Sequence, residues 1–163
     1  MPADVFESLP IFQGLNPDQV DQLHNLFVPC KCYGGTVLFE QGELAEHFYL
    51  VVEGEAVIRY KPDDGPPIVI TRVRRGGLVG WSAVIGRRTY TSGVECAEDS
   101  QLLRVHGSDL QSLCERYPDT GALILDRLSD LIAERLQHTH PEVVALLENG
   151  IRNGTKCEEV PRG

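Results

Sequence analysis

The chain of 163 residues carries 24 acidic against 15 basic side chains, a formal net charge of −9, and 42% hydrophobic residues. That length suits one domain with a helical appendage and is enough to bury a core, while the acidic balance argues against bulk attachment to nucleic acid or to an anionic membrane. No apolar run approaches the ~18 residues that span a bilayer, the opening Met1–Phe12 lacks the basic and apolar regions of a secretory signal, and the five cysteines have no framework-like spacing, so a cytoplasmic protein with reduced thiols is expected.

The first predicted element is a short helix. Asn16 suits the N-cap, Pro17 the first helical position and Asp18 the first turn. Val20, Leu23, Leu26 and Phe27 then fall on one face, and the helix stops before Pro29. A β region follows, with apolar runs at Thr36–Phe39, Phe48–Val52, Ala56–Tyr60, Ile68–Val73, Tyr90–Cys96 and Leu102–Val105. Gly34-Gly35, Gln41-Gly42-Glu43, Glu53-Gly54-Glu55, Pro62–Gly65 and Glu98-Asp99 separate them. Short strands at close spacing between glycine-rich turns predict a sandwich or barrel. The last third reads as helical. One helix runs from a Ser108 cap to about Tyr117, Pro118 breaks it, and a longer one covers Asp119–His138.

The apolar set of that long helix is Leu123, Ile124, Leu125, Leu128, Leu131, Ile132 and Leu136, a stripe wide enough for one face to cover the β region and another to meet a second subunit. His140-Pro141 ends it. A short helix near Val143–Leu147 and a polar tail from Gly150 to Gly163 complete the chain. The expected organisation is therefore 1–138 as the domain with its long helix and 139–163 as a short helix and tail.

The distribution of charge singles out one stretch. Acidic residues are absent from Gly65 through Val94, a span that holds Arg72, Arg74, Arg75, Arg87 and Arg88 together with glycines and small hydroxyl side chains. These are the parts of an anion cradle.

Three further stretches carry a family resemblance: Leu9–Phe12 with the helix after it, Gly35–Glu43, and Phe48–Ala56 with Glu53-Gly54-Glu55 at its turn. Together they resemble the cyclic nucleotide-binding domain, as in the catabolite activator protein and the regulatory subunit of the cAMP-dependent kinase, over roughly Phe6 to Leu136. The resemblance implies a mainly β fold with flanking helices, a double-stranded β-helix (jelly roll) followed by a long C-terminal helix. It also implies that Val79–Val94 is the phosphate-binding cassette, whose usual form is Phe-Gly-Glu-Leu-Ala, a spacer, then Pro-Arg-Ala/Ser-Ala/Thr. Gly80 keeps the family's glycine. Trp81 stands at the position of the Glu that meets the ribose, Thr89 at that of the Pro, Tyr90 at that of the Arg that pairs with phosphate, and Thr91 keeps a hydroxyl.

The expected ligand is a small phosphorylated molecule, with cAMP or cGMP as the implied cyclic nucleotides. The expected site is Gly80, Trp81, Ser82, Ala83, Arg88, Tyr90, Thr91 and Ser92. Backbone N–H groups at Gly80–Ala83 would hold the anion, Arg88 or Arg87 would pair with it, and Trp81 would offer a ring to the base. The contrasting reading is a module without ligand, with Trp81 filling the cavity, that serves dimerisation or docking to an unidentified protein partner.

Other motifs point elsewhere less strongly. His138-Thr139-His140 has the spacing of a metal pair but falls at a helix end, and no metal is expected. Cys30 and Cys32 would share one face of a strand, which fits packed thiols or a thiol sensor. No nucleophile elbow, phosphate-loop lysine or paired catalytic carboxylates occur, so an enzyme is not expected. No basic recognition helix follows the long helix, so direct DNA binding is not expected either. The implied signalling element is the long helix, acting on a partner or on its own dimer mate.

Overall fold

A computed structural model describes residues 8–137. The His138–His140 pair, the helix expected near Val143 and the polar tail lie outside the described residues. The chain opens on a 3-10 turn, Pro10–Phe12, and a helix α1, Pro17–Leu26. Eight strands follow: β1 Val28–Cys32, β2 Val37–Phe39, β3 His47–Glu53, β4 Ala56–Tyr60, β5 Ile68–Val73, β6 Leu78–Val79, β7 Gly93–Cys96 and β8 Ser100–His106. A second 3-10 turn, Trp81–Ala83, interrupts them between β6 and β7. Helices α2, Gly107–Arg116, and α3, Pro118–Gln137, close the described chain.

The start of α1 is a reciprocal cap. The Gln19 amide donates to Asn16 Oδ1 at 2.8 Å while the Asn16 amide donates to Gln19 Oε1 at 3.1 Å, which satisfies two amides that the helix itself leaves open.

The strands form two antiparallel four-stranded sheets, ordered β1-β8-β3-β6 and β2-β7-β4-β5. The jelly roll anticipated from sequence is therefore the fold. Its interior lies between the sheets, filled by Cys32, Tyr49, Val51, Val79 and Leu102 from the first and by Phe39, Ala56, Ile58, Val73, Val94 and Cys96 from the second. The outer face of the first sheet is buried as well. Phe48, Leu50, Val52, Leu78, Leu103 and Val105 meet Leu9, Phe12, Leu23, Phe27, Leu110, Ile124 and Leu128. A strand covered on both sides has no solvent face to encode, which explains the unbroken apolar run Phe48–Val52.

Two strands escaped the sequence reading. β1 contains Pro29, which reads as a breaker, yet β1 is at the edge of its sheet, where a residue without an N–H is tolerated. β6 has two residues and no periodicity to detect. The strand expected at Tyr90–Cys96 begins only at Gly93. Helix α3 starts at Pro118, the residue expected to break it, because proline at a first helical position gives up an amide that has no intrahelical partner anyway. Among the described residues, no helix is long and apolar enough to cross a membrane.

Candidate functional site

The cassette begins where β6 ends. Gly80 has φ +82°, and a Cβ there would lie 2.9 Å from the His47 carbonyl oxygen and 3.1 Å from Phe48 Cα. Glycine is the residue that fits both the left-handed backbone and the close approach to β3. The 3-10 turn Trp81–Ala83 follows at once. The Ala83 amide donates to Gly80 O at 3.0 Å and the Val84 amide to Trp81 O at 2.9 Å, so the Ala83 N–H is engaged within the turn. The amides of Trp81 and Ser82, at its head, have no intrahelical acceptor by position. The Arg87 amide then donates to Ser82 O at 2.9 Å and folds the spacer back on the turn.

The returning limb is sewn to the loop before β3. The Ala45 amide donates to Arg88 O at 2.8 Å, the Tyr90 amide to Glu43 O at 3.0 Å and the Gly42 amide to Tyr90 O at 2.9 Å. These bonds turn the Tyr90 ring into the roll. It stacks on Phe39 with centroids 3.6 Å apart and planes at 16°, and it is 5% exposed. Its hydroxyl donates to His47 O at 2.6 Å and accepts from the His47 amide at 3.1 Å. Burial raises the Tyr90 phenol above its ordinary value against the opposing effect of the His47 bond, so it stays neutral and keeps its proton to donate.

The expected site residues are thus close in space but unlike in exposure. Ser82, Ala83 and Ser92 are buried, Thr91 is half-buried and Arg88 is exposed. Trp81 is half-buried and leans on the cluster beneath the helices; the ring that lies inside the roll is Tyr90. Sequence alone did not separate Arg87 from Arg88. In the structure Arg87 is half-buried, and its Nε is buried with no hydrogen-bond partner.

The other arginines of the acid-free stretch serve the frame. Glu55, just outside the stretch in sequence, takes Arg72 on one oxygen and Arg74 on the other, each at 2.8 Å. Arg75 donates to Val52 O at 3.1 Å and also reaches the Ser8 hydroxyl. The local excess of cation seen along the chain is therefore neutralised across the fold at all but the cassette's own pair. His47 and Phe39 also went unnoticed as supports of the cassette, since neither lies within the stretch.

Residues 30–117 match the family model described as the cyclic nucleotide-binding domain. The chain belongs to the cyclic nucleotide-binding domain family. The cyclic AMP receptor protein of Thermus thermophilus is 27% identical over 144 residues, 88% of this chain and 65% of that protein. The acetyltransferase Pat of Mycolicibacterium smegmatis is 32% identical over 91 residues, 56% of this chain and 27% of the enzyme. Among solved structures, the Thermus thermophilus catabolite activator protein superimposes with a TM-score of 0.67 at 26% identity, covering 88% of this chain and 63% of that one. This cyclic nucleotide-binding domain therefore spans about two thirds of the length of its receptor relative and a much smaller share of the acetyltransferase. Family membership supports a regulatory role that senses a cyclic nucleotide.

Proposed function

We propose that this chain is a non-catalytic regulatory domain that takes a small phosphorylated ligand of the cyclic nucleotide class at Gly80–Ser92 and passes the event to α3. The observation that carries this reading is the buried, unpartnered Arg87 Nε beside the glycine-led turn. A buried donor without an acceptor is costly, and an anion at the head of the turn would supply the acceptor. The Trp81 and Ser82 amides, the Ser82, Thr91 and Ser92 hydroxyls and the Arg87 and Arg88 guanidinium groups form the donor set, with no carboxylate among them. Tyr90 and Phe39 form the floor. Trp81, in place of a carboxylate, presents no acceptor to a ribose hydroxyl, so the phosphate end of the ligand dominates recognition. The activity and partners of the receptor and acetyltransferase relatives are consistent with a domain of this kind working as an input module.

The wide apolar stripe of α3 supports a homodimer in which the helix transmits the change. Ile124 and Leu128 are fully buried, while Leu123, Leu125, Leu131 and Ile132 are only half-buried.

One observation favours a second reading. The Tyr90 ring fills the roll interior against Phe39 and commits its hydroxyl to β3, as in a domain that has closed its cavity and serves docking. Titration calorimetry and thermal shift with cAMP, cGMP and inorganic phosphate separate the two. Saturable heat with a rise in melting temperature supports the sensor. Neither signal from any of the three at millimolar concentration overturns it and leaves the docking module.

A further inference from the structure

His47 and His106 face each other across the β3–β8 pair, with ring centroids 4.8 Å apart and planes at 84°. Each is anchored to a different element. The Ser108 amide donates to His106 Nδ1 at 3.2 Å, and the Ser108 hydroxyl lies 2.7 Å from the same nitrogen, so His106 caps the head of α2. An imidazole nitrogen accepts a hydrogen bond only while it carries no proton. The cap therefore belongs to neutral His106, and a cation at that place would also oppose the helix dipole.

The cassette rests on the same corner at three points. Tyr90 bonds both the amide and the carbonyl of His47. Gly80 lies against the His47 carbonyl, and a Cβ on Gly107, the residue after His106, would come within 3.0 Å of Ala83 O. Gly107 in turn donates its amide to Glu46 O at 2.8 Å. The beginning, the turn and the end of the cassette thus all meet the backbone of the histidine corner.

The charged groups around His47 are Arg104 and His106 on β8, Glu46 beside it and Asp109 on α2, with the Tyr49 ring centroid 6.4 Å away. We propose that the His47–His106 pair is a proton-operated latch on the cassette: neutral, it holds the α2 cap and the Tyr90 strut; protonated, it releases both. The sense of the response follows from linkage. Burial, then His106 and Arg104, lower the His47 imidazole against the opposing effect of Glu46 and Asp109. The arrangement observed therefore binds fewer protons than a loosened one, and it is favoured above the ordinary histidine value of about 6.5 and lost as pH falls below it.

Trp81 is the single tryptophan of the chain and sits inside the cassette, so it reports on the latch without a label or a ligand. Acrylamide quenching of Trp81 in the full chain is followed from about pH 8 to about pH 5, alongside the histidine C–H resonances by NMR. The expected result is a sigmoidal rise of roughly twofold in the quenching constant on the acid side of neutral, as local opening exposes the ring. That rise should vanish in the His47→Gln/His106→Asn double variant, because asparagine caps a helix without titrating. A wild-type chain with no transition overturns the latch, as does a double variant that keeps the same midpoint. A Trp81 midpoint more than about one pH unit from both histidine midpoints overturns it in the wild-type chain alone. Because no ligand is added, this outcome is independent of whether a nucleotide binds.

Discussion

Gly80 is where one missing atom shapes the cassette. A methyl group at that position meets the His47 carbonyl at 2.9 Å, and an L-residue at φ +82° adds backbone strain of about 1–2 kcal/mol. Gly80→Ala is expected to lower stability by roughly 2–3 kcal/mol in urea unfolding, strain and clash together; a change near zero would mean that β3 yields to the cassette without cost. Arg87 is the matching test of chemistry. Its Nε has no partner in the protein, so Arg87→Ala should leave the melting temperature nearly unchanged. If an anion binds, the same change should weaken binding by roughly 10- to 100-fold, the worth of one charge-assisted hydrogen bond. An equal loss in Arg88→Ala with none in Arg87→Ala would move the anion contact to the exposed side chain. Gly80 was legible in the sequence because glycine before a helical turn is a local signal. The choice between Arg87 and Arg88 was not, since adjacent residues differ only in where the folded loop sends them.

At the scale of elements, the second half of the roll is pinned by an ion cluster and the helices by their apolar faces. Glu55 precedes β4 and joins Arg72 of β5 and Arg74 beyond it. The hydrogen bond from Arg72 is the largest of the effects that hold its carboxylate below the usual range. The folded value lies below the unfolded one, so the contribution is complete above the unfolded value of about 4.3 and is lost as pH falls through the folded value. The wild-type urea midpoint should drop more steeply than that of Glu55→Gln between about pH 5 and about pH 3. Parallel curves would remove Glu55 from the account.

On the helical side, Leu128 of α3 is fully buried against the first sheet. Leu128→Ala should cost about 2–5 kcal/mol, read as a shift in the urea midpoint with the slope unchanged. β1 and β6 show what pattern reading misses at this scale. An edge position licenses Pro29, and pairing with Leu50 and Tyr49 of β3 makes a strand of Leu78 and Val79, and neither reason is local.

For the whole molecule the open question is assembly. The half-buried set on α3 leads to a homodimer, and sedimentation equilibrium over a range of concentrations should give twice the chain mass. Charged replacements at Leu125 and Ile132 should return it to the monomer with little change in far-ultraviolet circular dichroism. A wild-type chain that stays monomeric at high micromolar concentration would leave α3 as a cover for its own domain.

The sequence by itself determined the class of this protein. Glycine-punctuated short strands, the Phe48–Ala56 strand and turn, and a long terminal helix each depend on neighbours along the chain, and together they specify a cyclic nucleotide-binding fold. It also located the cassette, because the absence of acids from Gly65 to Val94 is visible without coordinates. Tertiary structure alone decided what that basic stretch is for. It removed Arg72, Arg74 and Arg75 by pairing two of them with Glu55 and tying the third to Val52 and Ser8. It turned Tyr90 inward on Phe39, set Trp81 against the helices, and brought His47 to His106 through a strand pairing with 58 intervening residues. Charge compensation, ring stacking and contact between distant strands act through space, and no local pattern in the chain records them.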